Sequence, residues 1–244
     1  MFSHLPSFVA DWFAARGWRP HPHQIALLEA ARAGRSALLI APTGGGKTLA
    51  GFLPSLIEIA ETRPAGLHTL YVSPLKALAV DVHRNLEAPI AEMDLPVRAE
   101  TRTGDTPAGK RARQRARPPQ ILLTTPESLA LMLSYPEARA MFAGLRCVVV
   151  DELHALAHTK RGDLLALGLA RLSALVPGCR RVGLSATIAD PEIYRGWLSP
   201  SGGAGDDVAL VIGRGGAAPE MRIATPQARV PWAGHMALHA LPEV

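Results

Sequence analysis

The chain has 244 residues, 48% of them apolar and 19% charged, a balance that excludes an intrinsically disordered chain and allows one large domain or two small ones. Lysine and arginine exceed aspartate and glutamate by five, a mild basic excess that permits a nucleic-acid partner without proving one. Two cysteines, Cys147 and Cys179, without C-x-x-C spacing exclude a disulfide framework and a zinc site.

Two helices, near Ser7–Arg16 and Pro22–Arg32, precede the first strand candidate, Ser36–Ala41. A helix over Thr48–Ala60 follows, then a strand over His68–Ser73, a helix over Lys76–Met93 and a strand over Val97–Thr101. Past the basic run Lys110–Arg117 come a strand at Gln120–Thr124, a helix at Pro126–Leu133 and a strand at Arg146–Asp151. A leucine-rich helix over Gly162–Leu175 leads to a strand at Arg181–Ser185, and Val208–Ile212 is a further short apolar run between glycine-rich segments. Continuous apolar strands such as ALLI, TLYV and CVVV suit a sheet covered on both faces. Strands alternating with helices predict an α/β fold with a doubly wound, mostly parallel sheet, whose ligands bind beyond the carboxyl ends of the strands. No apolar run approaches the ~18 residues of a membrane span, and Met1–Ala10 lacks the basic-then-apolar order of a signal peptide. A reducing, cytoplasmic setting fits both this and the cysteine usage.

The strongest local signal is Ala41-Pro42-Thr43-Gly44-Gly45-Gly46-Lys47-Thr48, placed between a strand and a helix. Glycines let successive backbone N–H groups point at phosphate oxygens, and the following helix aims its positive end at the same anion. In that pattern Lys47 reaches the β- and γ-phosphates and Thr48 offers a hydroxyl to Mg²⁺. The competing reading is a glycine turn that binds nothing, against which three glycines, a lysine and a threonine in this context weigh heavily. Asp151 and Glu152 stand at the carboxyl end of the CVVV strand. Two acids there either begin a helix, complementing its dipole, or hold Mg²⁺ (Asp151) and orient or deprotonate the attacking water (Glu152). The upstream phosphate loop favours the second reading.

The order of phosphate loop, then Asp151-Glu152-Leu153-His154, then Ser185-Ala186-Thr187, each at a strand end, resembles the first RecA-like motor domain of superfamily 2 DExH-box helicases. Ser73-Pro74-Leu75-Lys76-Ala77-Leu78 looks like motif Ia and Thr124-Thr125-Pro126-Glu127-Ser128-Leu129 like motif Ib. Thr101-Arg102-Thr103-Gly104-Asp105-Thr106 resembles a hallmark of the large helicase-related (Lhr) group, and Gly17-Trp18-Arg19-Pro20 with Gln24 is similar to an adenine-reading Q-type motif. The wording of Ser73–Asp81 and of Val230–His235 looks closest to the ligase-associated DNA-damage-response branch.

The resemblance implies an ATP-dependent DNA helicase or translocase tied to DNA repair, with ATP and Mg²⁺ as cofactors. Its fold would be a RecA-like P-loop NTPase domain over 36–224, preceded by helices at 1–35 and followed by a linker at 225–244. Gln24 would read the adenine edge, and Ala41 to Thr48 would hold the phosphates. Lys47, Asp151 and Glu152 would be catalytic, with Thr48 and Asp151 at the metal. His154, Ser185, Ala186 and Thr187 would couple nucleotide state to strand binding. Pro74, Lys76, Arg102, Gly104, Thr125 and Pro126 would line the track for one strand. The partner is single-stranded or partly duplex DNA, with RNA as the alternative substrate and a DNA ligase or nuclease as a further associate. The family motor pairs two RecA-like domains, and the second supplies an arginine finger worth about 10³–10⁵ in rate. No such motif follows Thr187 in this sequence, so the expectation is that the chain binds ATP–Mg²⁺ and a single strand with little turnover alone. A second RecA-like domain acting in trans would complete it; the non-enzymatic alternative is a nucleotide-gated binding module. The run Lys110–Arg117 stays open between a solvated helix surface and a phosphate-attracting patch.

Overall fold

The computed structural model describes residues 5–186, 188–200, 202–203, 205 and 207–213. Thr187, the 225–244 linker and Val230–His235 lie outside the described residues. Seven parallel strands form one sheet: β1 Ser36–Ile40, β2 Thr69–Val72, β3 Ala99–Arg102, β4 Ile121–Thr124, β5 Cys147–Val150, β6 Arg180–Ser185 and β7 Val208–Ile212. Their order across the sheet is β3-β4-β2-β5-β6-β1-β7.

Ten helices are described: α1 Ser7–Ala15, α2 Pro22–Arg32, α3 Lys47–Thr62, α4 Lys76–Glu92, α5 Ala108–Ala116, α6 Pro126–Leu133, α7 Ala138–Phe142, α8 Leu153–Leu156, α9 Lys160–Leu175 and α10 Pro191–Leu198. The doubly wound architecture follows from strand alternation. Leu38 and Ile40 of β1 and Val148 and Val150 of β5 face one layer, built by α6 to α10. Ala37 and Leu39, with Cys147 and Val149, face the other, built by α2, α3 and α4. Because both faces are covered, β1, β2, β4 and β5 are buried along their whole length. A smaller core joins Val9, Trp12 and Phe13 of α1 to Leu28 of α2 and to Leu53 and Ile57 of α3.

Register brings the strand ends level. Ile40 pairs with Ser185, Val72 with both Thr124 and Val150, and Arg102 with Thr124. The phosphate loop, the Asp151–His154 turn, Ser185 and the Ser73, Thr101 and Thr124 motifs therefore all lie at the same carboxyl edge. Val150 pairs with Gly183, so β6 runs two residues past β5 and carries Ser185 up beside the Asp151–His154 turn. α5 differs from a helix with charge all round, because Gln114 is fully buried. Its side chain donates to Glu100 Oε2 at 2.9 Å and to the Thr101 carbonyl at 3.2 Å, pinning α5 to β3.

Candidate functional site

The phosphate loop leaves β1 at Ala41, and α3 begins at Lys47. Gly44 and Gly46 hold φ of +79° and +71°. At Gly46 a side chain would be strained by backbone angle, and its Cβ would sit 3.1 Å from Gln24 Nε2. The loop thus packs directly on the N-terminal helices. Gln24, third residue of α2, is 2% exposed and accepts the His21 N–H at 2.8 Å. His23 is buried and stacks on His21 with ring centroids 5.1 Å apart; burial lowers its pKa. A cavity of about 490 Å³ opens beside the loop, lined by Trp18, Arg19, His21, Gln24, Gly44 and Gly46 among others. Lys47 is buried and its ammonium donates to the Ala41 carbonyl at 2.8 Å, while Thr48 is half-buried behind it.

Asp151 follows β5, with its backbone N–H on the Val72 carbonyl at 2.9 Å. Its carboxylate is 5% exposed, takes the Glu152 N–H on Oδ1 at 2.9 Å and the Tyr71 hydroxyl on Oδ2. Burial raises the Asp151 pKa, and the Tyr71 and Glu152 bonds offset part of that rise. Burial and the facing carboxylate push the Tyr71 phenol up, so it stays a donor. Glu152 has φ +46°, a left-handed conformation that a side chain adopts at a cost of order 1–3 kcal/mol when context enforces it. That turn aims Glu152 toward His154, whose Nδ1 lies 3.4 Å from Glu152 Oε2 and 3.0 Å from Ser185 Oγ. Ala41 N–H donates to the Ser185 carbonyl at 3.1 Å. One chain of contacts therefore joins phosphate loop, acidic turn and Ser185; Ala186 is half-buried beside it.

The remaining motifs cluster on the other half of the same edge, beyond β2, β4 and β3. Lys76, first residue of α4, is 54% exposed and pairs with Asp105 at 2.9 Å. Gly104 is exposed between them, and a Cβ there would lie 3.5 Å from Lys76 Nζ. A groove of about 400 Å³ runs past Lys76, Thr103, Asp105 and Lys110. Thr125 caps α6, its hydroxyl accepting from Ser128 N–H, and Pro126 is its first residue; both are buried. Pro74 is half-buried, and its carbonyl accepts from Arg161 Nη1 at 2.7 Å.

Arg102 departs from the expectation that it lines the track. It is 1% exposed, because α5 and Tyr135 close over the last residue of β3, and its Nη1 is spent on the Arg111 carbonyl at 3.0 Å. The structure also adds residues that the sequence reading passed over. Arg161, first turn of α9, grips Glu127 through two bonds of 2.5 and 3.1 Å while holding Pro74. The Arg161 guanidinium pulls the Glu127 pKa down to about 2. α9 is in turn jammed against α8, since a Cβ on Gly162 would sit 2.1 Å from the Leu156 carbonyl oxygen. The acidic turn is thereby tied through α8 and α9 to the loops after β2 and β4. Tyr71 is the other: it reads as plain strand core until strand order sets its hydroxyl against Asp151, while Asp105, named only within the Thr101–Thr106 motif, gains a partner in Lys76.

Comparison with known proteins places these observations. The DEAD/DEAH box helicase family profile matches residues 21–195. The chain is 46% identical over 207 residues to the "Lhr helicase/ probable uracil glycosylase" of Mycolicibacterium smegmatis, covering 79% of this chain and 14% of that protein. It is 40% identical over 240 residues to the Lhr helicase/uracil glycosylase of Escherichia coli, covering 90% of this chain and 15% of that one. The chain thus spans about one seventh of the length of these curated relatives. The solved structure of Mycobacterium smegmatis helicase Lhr bound to ssDNA and AMP-PNP superposes with a TM-score of 0.79 at 41% identity, over 88% of this chain and 28% of that one.

Proposed function

This chain belongs to the DEAD/DEAH box helicase family, and we propose that it is the first RecA-like lobe of an Lhr-type, ATP-dependent DNA helicase. The observation that carries the reading is the division of one sheet edge. The phosphate loop, the Asp151–His154 turn and Ser185 meet over β5, β6 and β1, while the Lys76, Gly104 and Thr125 loops stand over β2, β3 and β4. ATP would lie on the first half. Gln24 reads the adenine edge with an amide that donates and accepts at once, the loop N–H groups hold phosphate oxygens, and Lys47 exchanges the Ala41 carbonyl for the β- and γ-phosphates. Glu152 accepts the proton of the water that attacks the γ-phosphorus, with ADP leaving.

Thr48 and Asp151 supply the hard oxygen donors that Mg²⁺ takes, and a carboxyl buried as deeply as Asp151 gains from a cation beside it. An ion held by Thr48 and Asp151 would supply neutralisation of the phosphate charge. His154 with Ser185, Ala186 and Thr187 senses the nucleotide. Lys76 and Gly104 present side-chain and backbone groups to the phosphates of one DNA strand, while Pro74, Thr125 and Pro126 shape the loops behind them, which positions the strand without reading sequence. Arg102 supports that track from beneath. A second RecA-like lobe supplies the arginine finger, so this lobe alone binds more than it turns over. The finer setting, DNA repair beside a ligase or nuclease, is supported by the wording of Ser73–Asp81 and is tested by co-purification from native cells.

The decisive test is binding of a fluorescent ATP analogue and Mg-ATP turnover by the purified chain, with and without single-stranded DNA, beside Lys47→Ala. Nucleotide binding that requires Lys47, with little turnover, is the expected result. Nucleotide binding indifferent to Lys47 would sink the reading. DNA-stimulated turnover at the rate of an intact motor would overturn the need for a second lobe. An RNA strand in the same assay decides the substrate.

A further inference from the structure

The structure sorts three arginines of the basic run Lys110–Arg117, Arg111, Arg113 and Arg115, into two groups. Arg113 is neutralised, its Nη2 donating to Glu100 Oε2 at 2.7 Å. Arg111 and Arg115 stand one turn apart on α5, both half-buried, and turn elsewhere. The Arg115 guanidinium lies 4.8 Å from the centre of the Tyr135 ring, and the Arg102 guanidinium lies 5.7 Å from the centre of the same ring. Arg102 gives its Nη1 to the Arg111 carbonyl, and its buried Nη2 meets no hydrogen-bond acceptor. Among the described residues, no carboxylate forms an ion pair with Arg102, Arg111 or Arg115.

A guanidinium stays charged inside a protein. Burial, and then the like charges of Arg115 and Arg111, work against the Arg102 cation. Tyr135 offsets part of this, its ring centre lying 5.7 Å from the Arg102 guanidinium. Two guanidiniums at one ring, with the like charge of Arg111 also bearing on Arg102 and no ion-paired carboxylate among the described residues, form an arrangement that a docked anion relieves. Unlike Arg113, Arg111 and Arg115 keep their charge available to such an anion.

We propose that the Arg111–Arg115 face of α5, backed by Tyr135 and the buried Arg102, is a second phosphate station for the nucleic-acid strand, outside the track at the strand ends. The proposal rests on the nucleic-acid reading given above. The path is set by chain order. Arg102 ends β3, Thr103–Thr106 form the loop facing Lys76, and α5 starts at Ala108. β3 is the edge strand, so a strand leaving that loop over the sheet edge runs onto α5. Arg111 and Arg115 are about 6 Å apart along the helix axis and make the contacts. Arg102 adds its field from behind, and no base is read.

The test is fluorescence anisotropy of a labelled oligo-dT strand across a salt series. The full chain is compared with Arg111→Gln/Arg115→Gln, with Arg113→Gln and with Arg115→Lys, each first shown to be folded by its thermal melt. Each phosphate contact contributes about 0.7 to the slope of log affinity against log salt for a single strand. The double variant is expected to lose about 1.4 of that slope, Arg113→Gln to lose none, and Arg115→Lys to keep the slope with weaker binding. An unchanged slope in the double variant overturns the proposal. So does a per-charge loss in Arg113→Gln equal to that of the double variant, because net charge would then account for everything. Failure of the wild-type chain to bind the strand overturns the nucleic-acid reading itself, and the station with it.

Discussion

The imidazole of His154 meets the hydroxyl of Ser185 at 3.0 Å, across 31 residues of sequence. The same nitrogen lies 3.4 Å from Glu152 Oε2, and the Ser185 carbonyl accepts from Ala41 at the base of the phosphate loop. Two loops that would touch the same γ-phosphate are thus joined by one ring. His154→Ala and Ser185→Ala should each leave nucleotide affinity within a few-fold. Both should shrink the effect of Mg-AMP-PNP on single-strand affinity, and the double variant should add little to either. A double-mutant cycle checks this, with a coupling energy of about 0.5–3 kcal/mol expected for residues in contact. Strict additivity would mean that the contact carries no coupling.

Lys76 and Asp105 form an exposed pair at 2.9 Å in the loop region assigned to the strand. If Lys76 contacts the strand as proposed, a phosphate would have to displace this carboxylate. Asp105→Asn should therefore tighten single-strand binding about two- to fivefold, the scale of one exposed ion pair, whereas Lys76→Ala should weaken it. Anisotropy titration at low salt reads both. Weaker binding in Asp105→Asn would show that Asp105 assists the strand instead of competing with it.

Glu127 carries a pH signature. Its folded pKa of about 2 lies below the ordinary glutamate value near 4.3. Between those values the folded state binds fewer protons than the unfolded state, so the contribution of Glu127 to stability is complete above about pH 4.3 and is lost as pH falls toward 2. Both partners are more than a third exposed, so solvent screening keeps the energy small. The titration itself is the sharper readout. The Glu127 carboxyl carbon, followed by NMR, should show a midpoint near 2 in the wild type and return to the ordinary range in Arg161→Ala.

Gly162→Ala should destabilise the lobe by about 1–3 kcal/mol, the range for an overpacked core site. The added methyl would meet backbone, at 2.1 Å from the Leu156 oxygen and 2.8 Å from its carbon, and backbone cannot swing aside as a side chain can. Urea unfolding midpoints measure the loss. A midpoint equal to the wild type would mean that α8 and α9 separate freely.

The fold was legible where periodicity is unambiguous. ALLI, TLYV, ILLT, CVVV and VGLS all lie in strands, with ends differing by one or two residues, and α2 and α6 match their expected bounds. The carboxyl-edge motifs were legible for the same reason: a parallel sheet puts every strand end on one side. Contacts that need strand order were not. Tyr71 is an apolar-run residue until β2 is known to lie beside β5, which sets its hydroxyl on Asp151. Arg161 looks like a helix-start cation, and only the packing of α9 against α6 shows it gripping Glu127 and Pro74. Arg102 sits in a motif full of polar residues, so its burial beneath α5 and Tyr135 has no local signature. The helices α7 and α8 are pieces of five and four residues, too short to show a clear helical period.

The strand order has one more consequence. β2 and β5 are neighbours, and among the described residues their four-residue ladder from Thr69–Val72 to Cys147–Val150 is the only strand pairing between the half-sheet that would carry nucleotide and the half-sheet that would carry DNA. Both ends of the seam are riveted. Tyr71 bonds Asp151 at the carboxyl end, and at the amino end Glu58 binds Arg180 at 2.5 Å and faces His68 at 3.3 Å. The lobe is in effect two plates sharing one weld. A change at the weld would bear on both proposed sites at once, whereas β3 and β7 stand at opposite edges of the sheet, far from the seam.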